Sequence, residues 1–345
     1  MYKQGHSYKA LLLLRIVTNG YGKGAVISMN IYEEVKNAKT IGISGHIHPD
    51  GDCVGSVMGL YLYLKKMCTD AQIQVLIEKP SDVFNCIQGV EEITGEFNPI
   101  TDYFDAFIAL DCEKSRLGEA EVLFDNAKKK INIDHHISNA KGCGDVNYVI
   151  PTASSASELV YQVMEDKNAI DAEIAKALYI GIIHDTGVFQ YSNTAPETLE
   201  TAAKLISYRF DFPGLIDSTF YEKTYAQNRI MGQVLIESKL YLEGKCIVGV
   251  ADKTMMEHYR VTSKDLDGIV NQLRNTKGVE CALFLYETKE KEYKASLRSG
   301  KYLDVARVAS CFGGGGHVKA AGVTMQGDVQ TIIEQLVAEI AKQIQ

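Results

Sequence analysis

The chain has 345 residues, long enough for two domains that each bury a core. A formal net charge of −8 and a pI near 5.6 exclude a broad basic face for long or duplex nucleic acid. They leave room for a small anionic substrate held by bound cations and a few local Lys or Arg. The eight cysteines are scattered with no Cys-x-x-Cys pair, so reduced thiols in a cytoplasm are expected, and no disulfide framework.

The apolar run Leu11–Val17 is interrupted by Arg15 and is far shorter than the roughly twenty residues of a membrane span, so no membrane attachment is expected. No convincing signal-peptide cleavage pattern follows it. Residues 1–28 are read as an upstream extension and Met29 as the natural start. From there strand and helix alternate. Ile31–Ala38 reads as a short amphipathic helix and Thr40–Ser44 as a buried strand. Cys53–Met67 reads as a helix with Asp52 as its N-cap. Gln72–Glu78, Phe104–Leu110, Lys130–Ile133 and Val146–Ile150 read as further strands, and Ser154–Asp166 and Asp171–His184 as helices. This alternation predicts an α/β domain over 29–205 with a mostly parallel sheet. Ser218–Glu237 reads as one long helix within a linker region, 206–238. Beyond it, Leu240–Val250, Cys281–Tyr286 and Glu292–Leu297 read as strands of a smaller α+β domain over 239–345, closed by a helix at Val329–Ile344.

Chemistry concentrates where the predicted strands and helices end. The loop Gly45–Asp52 carries His46, Asp50 and Asp52 within seven residues, with Pro49 and Gly51 making the turn. Asp111 follows the third strand, Asp134-His135-His136 the fourth, and Asp185-Thr186-Gly187 the second helix. Carboxylates with a minority of imidazoles suit hard or borderline divalent ions, Mn²⁺ or Mg²⁺ ahead of zinc. The ligands are too many for one ion. Two ions about 3.5–4 Å apart suit in-line displacement at phosphorus. In the second half, Gly313, Gly314, Gly315 and Gly316 leave backbone N–H groups open to an anion. His317 adds a donor, Lys319 a charge, and Arg298 a bidentate phosphate contact or a base-stacking plane. Arg116 reads as a surface residue.

His-x-x-x-Asp-x-Asp, a strand-terminal Asp, Asp-His-His and a later Asp-Thr-Gly resemble the four motifs of the DHH phosphoesterase superfamily. Phe312–Gly322 (FGGGGHVKAAG) resembles the signature of the DHH-associated C-terminal domain. The likeness covers roughly residues 40–325, and the compact two-domain form resembles the bacterial nanoRNase and pAp phosphatase group. It implies that 29–205 is the catalytic domain and 239–345 the substrate-binding domain. It further implies that His46, Asp50 and Asp111 hold one ion, and that Asp52, Asp111, His135 and Asp185 hold the other, with Asp111 bridging. His136 is then placed beside the scissile phosphate, orienting groups or protonating the leaving oxygen. Arg298 and the glycine loop contact nucleotide. The implied substrates are short oligoribonucleotides and 3′,5′-bisphosphorylated adenosine (pAp), cleaved by in-line water attack in a cleft closed at one end. A homodimer is a family expectation. Cys53 departs from the family, which often has Ala there, and a thiol beside Asp52 points to oxidation sensitivity. Three rival readings are a cyclic di-AMP or pApA phosphodiesterase, a family II inorganic pyrophosphatase, and a non-catalytic nucleotide sensor. The glycine loop with Arg298 argues against the second, and the complete ligand set against the third.

Overall fold

A computed structural model describes residues 29–344. The expectations for residues 1–28 lie outside that range. The chain divides into two compact units between Glu222 and Lys223, and no helix among the described residues is long and apolar enough to cross a membrane.

The first unit runs α1 (Ile31–Val35), β1 (Thr40–Ser44), α2 (Gly51–Met67), β2 (Gln72–Val75), β3 (Ala106–Leu110), α3 (Ala120–Asn126), β4 (Lys130–Asp134), β5 (Val146–Val149), α4 (Ala156–Val163), α5 (Ala172–Asp185), α6 (Pro196–Ile206) and α7 (Phe212–Ile216). Its five strands are all parallel, in the order β2-β1-β3-β4-β5. The apolar runs of β1, β3 and β4 are buried on both faces, as central strands of a covered parallel sheet require. The chain steps from β1 outward to β2, then back across β1 to β3. The reversal opens a crevice at the carboxyl ends of β1 and β3, where such sheets bind ligands.

Helix α2 starts two residues earlier than its pattern suggests. Asp50, not Asp52, is the N-cap, accepting from the backbone N–H of Asp52 and Cys53 at 3.1 Å each. The cap leaves the Asp52 carboxylate available elsewhere. Gly51, Gly55 and Gly59 form a stripe along one face of α2, and α5 lies against it. A Cβ on Gly51 would fall 2.3 Å from the His184 ring, one on Gly55 2.5 Å from the Ala177 carbonyl, and one on Gly59 2.5 Å from Leu178. Only glycine permits this approach. The order of these contacts makes the two helices antiparallel, so the start of α2 meets the end of α5. Strand β2 stops at Val75, short of the expected Glu78, and one further backbone bond, from Leu76 N to the Ile43 carbonyl at 2.9 Å, ties the chain to β1.

The expected long helix 218–237 is broken. A π-helical turn at Asp217–Tyr221 is followed by extended backbone at Glu222 and Thr224. A reciprocal capping box then starts α8 (Tyr225–Glu237): Thr224 N donates to Gln227 Oε1 at 2.7 Å, and Gln227 N to Thr224 Oγ1 at 3.2 Å. The second unit continues β6 (Lys239–Tyr241), β7 (Cys246–Ala251), α9 (Lys253–Tyr259), α10 (Ile269–Arg274), β8 (Cys281–Lys289), β9 (Glu292–Ser299), α11 (Val305–Ser310), β10 (Gly315–His317), β11 (Ala320–Gln326) and α12 (Val329–Ala341). The run expected as one strand over 240–250 is a hairpin. Leu242, Glu243 and Gly244 take left-handed φ values of 51°, 53° and 84° and reverse the chain between β6 and β7. The mixed sheet has the order β10-β11-β9-β8-β7-β6. Leu297, Ala295 and Tyr293 of β9 point into a core with α11 and α12, while Ala282 and Phe284 of β8 face α8 and α10 on the other side. On that same face of β9 and β11, Lys294 and Thr324 are exposed and Ser296 and Arg298 half-buried.

Candidate active site

In the first unit the structure brings together His46, Asp50, Asp52, Asp111, His135, His136 and Asp185. His46, Asp50 and Asp111 present ligand atoms to one point. Asp52, His135 and Asp185 do so to another, and Asp111, His135 and His136 form a third grouping that joins them. Asp111 is the hinge of this arrangement. Its Oδ2 lies 3.4 Å from His46 Nε2 and its Oδ1 3.3 Å from His135 Nε2. It follows directly on β3 with a left-handed φ of 58°, a conformation that Asp tolerates better than most residues.

Local bonds aim each ligand. His46 Nδ1 donates to the Ile47 carbonyl at 2.9 Å, which turns Nε2 toward Asp50 and Asp111. The Asp52 carboxylate is clamped by the start of α4, with Ala156 N donating to Oδ2 at 2.6 Å and Ser157 N to Oδ1 at 2.9 Å. The fully buried Asp134 accepts from His135 N at 2.7 Å, His136 N at 3.1 Å and His136 Nδ1 at 2.8 Å through Oδ1, and from Asn139 Nδ2 at 2.6 Å through Oδ2. Sequence reading quoted Asp134 within its motif but assigned it no role. It also missed Asn193, Glu158 and the Ser154–Ser157 turn. Ser155-x-x-Glu158 was the available signal for that turn, a helix-start pattern; Ser155 Oγ does accept from Glu158 N at 3.0 Å.

The donor set fits divalent cations. Asp111 Oδ1 is buried without a well-formed hydrogen bond among the described residues. Burial, reinforced by the Asp111 and Asp185 carboxylates, pushes the Asp52 carboxyl well above its usual range. Burial likewise lifts Asp185 to about 6. Burial disfavours charge on His46 and His135, yet the surrounding carboxylates, Asp111 foremost, outweigh it and raise both to about 10. Without cations, then, protons compensate the crowded carboxylates. Loading a metal-free sample near neutral pH should therefore release about two protons or more, and affinity should weaken as pH falls. Calorimetry in buffers of differing ionisation enthalpy measures this; heats independent of buffer would contradict it.

The remaining expected residues lie in the second unit, on or beside the strands β9, β10 and β11. Cross-strand register places Arg298, Ala320 and His317 in one row, and Ser296, Gly322 and Gly315 in the next. The Arg298 guanidinium donates to the Leu297 carbonyl at 3.0 Å. The glycine run is only partly a loop, since Gly315–His317 is the edge strand β10. Gly314 and Gly316 are glycines for packing: a Cβ would fall 2.3 Å from the Gly322 carbonyl and 2.5 Å from that of Ala320. Gly313 and Gly315 border open space. Lys319 Nζ donates to the Lys301 carbonyl at 2.6 Å, so its charge braces the neighbouring turn.

Residues 40–182 match the DHH family, N-terminal domain, and residues 243–345 match the DHHA1 domain. The chain is 30% identical over 307 residues to the bifunctional oligoribonuclease and PAP phosphatase NrnA of Thermus thermophilus, covering 88% of this chain and 89% of that one. It is 26% identical over 293 residues to the Bacillus subtilis protein of the same name, covering 83% and 89%. A crystal structure of an exopolyphosphatase-related protein from Bacteroides fragilis matches with a TM-score of 0.83 at 27% identity, over 90% of this chain and 94% of that one. With both domains matched in order and the likeness running through most of its length, the chain belongs to the DHH family, as a DHH N-terminal domain followed by a DHHA1 domain.

Proposed function

We propose that this protein is a metal-dependent phosphoesterase that hydrolyses short oligoribonucleotides to mononucleotides and removes phosphate from pAp. The gathering of six candidate ligand side chains into adjoining groups, with Asp111 shared between two of them, carries the reading, and the names of the T. thermophilus and B. subtilis relatives support the choice of substrates. His46, Asp50 and Asp111 would hold one divalent ion and Asp52, Asp111, His135 and Asp185 the other, Mn²⁺ ahead of Mg²⁺. When bound, the ions supply Lewis acidity to the phosphoryl oxygen and to the attacking water. His136 donates its Nδ1–H to Asp134, a bond that raises its pKa, so in its imidazolium form it would offer the Nε2 proton to the departing oxygen. Arg298 and His317, in one cross-strand row, would grip a nucleotide phosphate, with the small residues Ser296, Gly322 and Gly315 of the next row beside the nucleoside.

The test is a parallel hydrolysis assay with Mn²⁺ on pAp, a 5′-phosphorylated RNA dinucleotide and five-mer, cyclic di-AMP, and pyrophosphate. Turnover of pAp and the short RNAs, with little on the cyclic compound, is the expected result. Rapid opening of cyclic di-AMP would move the protein to the signalling hydrolases, and turnover of pyrophosphate alone would refute a nucleotide role for the second unit. Arg298→Ala should raise KM for the RNA dinucleotide by about 10–100-fold, the loss of one charged hydrogen-bonded contact. Its metal content should match the parent protein by elemental analysis; metal loss would show that Arg298 has been misassigned.

A further inference from the structure

Helix α5 ends on Asp185, and the chain then folds back sharply. Gly187, Val188 and Phe189 take consecutive left-handed φ values of 57°, 55° and 64°. Such backbone is costly for a β-branched residue and persists only where surrounding contacts enforce it. Thr186 supplies those contacts. Its carbonyl accepts from the N–H groups of Gln190 and Tyr191 at 2.9 Å each, and its hydroxyl accepts from Phe189 N at 3.0 Å while donating to the Ile182 carbonyl at 2.6 Å.

The reversal returns Asn193 onto the aspartate that began it. The Asn193 amide shares its N–H groups among the Asp185 carbonyl at 3.1 Å, Asp185 Oδ2 at 3.3 Å and the Ser154 carbonyl at 3.0 Å. Ser154 opens the segment whose next residues, Ala156 and Ser157, clamp both oxygens of Asp52. That segment is held from behind by the buried Glu158, whose Oε2 accepts from Ser154 N, Ser154 Oγ and Thr198 Oγ1 at 3.2, 2.6 and 2.9 Å. One side-chain amide thus ties the carboxylate of one ligand to the turn that orients another. Asn193 Oδ1 is buried and takes no bond among the described residues, so the side chain is anchored through its N–H groups.

From this geometry we infer that Asn193 is a positioning residue for the Asp52–His135–Asp185 half of the metal centre. It sets the spacing of Asp52 and Asp185 by bonding the Asp185 oxygen that lies 3.7 Å from His135 Nε2 and by holding the Ser154 carbonyl of the turn that clamps Asp52. The inference rests on the two-ion reading above. Outer contacts of this kind typically alter metal affinity by about 10–100-fold.

The experiment titrates Mn²⁺ into the metal-free full chain and follows free Mn²⁺ by electron paramagnetic resonance, for the parent protein and Asn193→Ala. The parent should bind two ions. In the variant one of the two should weaken by about 10–100-fold while the other stays within about threefold. Hydrolysis should need correspondingly more Mn²⁺ and recover most of kcat at saturation. Asn193→Asp, which sets a carboxylate against Asp185 Oδ2 and two carbonyls, should not recover in this way. An unchanged Mn²⁺ isotherm in Asn193→Ala overturns the inference alone, as does lost kcat that Mn²⁺ fails to restore. A parent protein that binds no Mn²⁺ overturns the two-ion reading and this inference with it. If Asn193→Ala does not fold, Asn193→Ser carries the same titration; failure of both to fold makes Asn193 a structural residue and overturns the assignment.

Discussion

Asp111→Ala should abolish hydrolysis of every phosphoester substrate, with a loss of at least about 10³-fold at saturating Mn²⁺. Removing one electrostatic contact from an active site costs about 10²–10³ in rate, and Asp111 would serve both ions at once. Its two oxygens face opposite halves of the centre, one toward His46 and the other toward His135. No other carboxylate in the site spans both. Asp111→Asn is the stricter variant, because Asn keeps the shape and tolerates the left-handed backbone at φ 58° while losing the charge. Both variants should lose activity while keeping the parent circular dichroism. Substantial turnover restored by added Mn²⁺ in either would rule out a bridging Asp111.

Asp134→Asn should cost activity about 10²–10³-fold, and stability as well, although Asp134 is absent from every metal grouping. Its Oδ1 gathers three N–H donors from His135 and His136 while Oδ2 receives Asn139 Nδ2. An amide cannot accept on both sides. Either His136 loses its orienting partner or two NH₂ groups meet at Asn139, which is itself engaged by Asn132 Oδ1 and the Cys112 carbonyl. Leaving a buried polar group unpaired costs about 1–3 kcal/mol. For a unit of this size that lowers Tm by roughly 2–4 °C per kcal/mol. Burial pushes the Asp134 carboxyl upward, but the bonds from His136 and Asn139 outweigh it and hold it below the usual range. Its contribution is therefore complete at neutral pH and fades only as pH falls through that lowered value. Parent-like kcat and Tm in Asp134→Asn would show that the aspartate does not hold His136.

Four of the candidate ligands could be listed from the chain because they lie at or just past the end of an apolar strand or helix. A polar residue just past a buried run must emerge at the edge of the sheet, so His46, Asp111, His135 and Asp185 were visible as strand-end and helix-end groups. The switch from regular alternation to a second α+β pattern was equally visible. Helix breaks and hairpins were harder. The split at Leu242–Lys245 depends on three left-handed residues, two of them not glycine, and their local sequence carries no strong turn signal. The Thr224–Gln227 capping box was present in the sequence, but the helical composition on either side masked it.

Local pattern could not supply the convergence itself. Strand order is a choice among pairings of similar local quality, and it is this order that sets β1, β3 and β4 side by side with their loops on one edge. The cap expected at Asp52 falls to Asp50 for a related reason. As a neighbour of the helix start Asp52 looked like a cap, yet Asp50 fills that position and the α4 amides, 104 and 105 residues away, claim the Asp52 carboxylate. Asn193 and Glu158 act through similarly remote partners. A residue's chemistry is written in its side chain and can be listed from the sequence. Which of two neighbouring aspartates turns inward depends on donors brought from distant segments, and those meet only when the sheet is ordered and the glycine face of α2 lets α5 close against it.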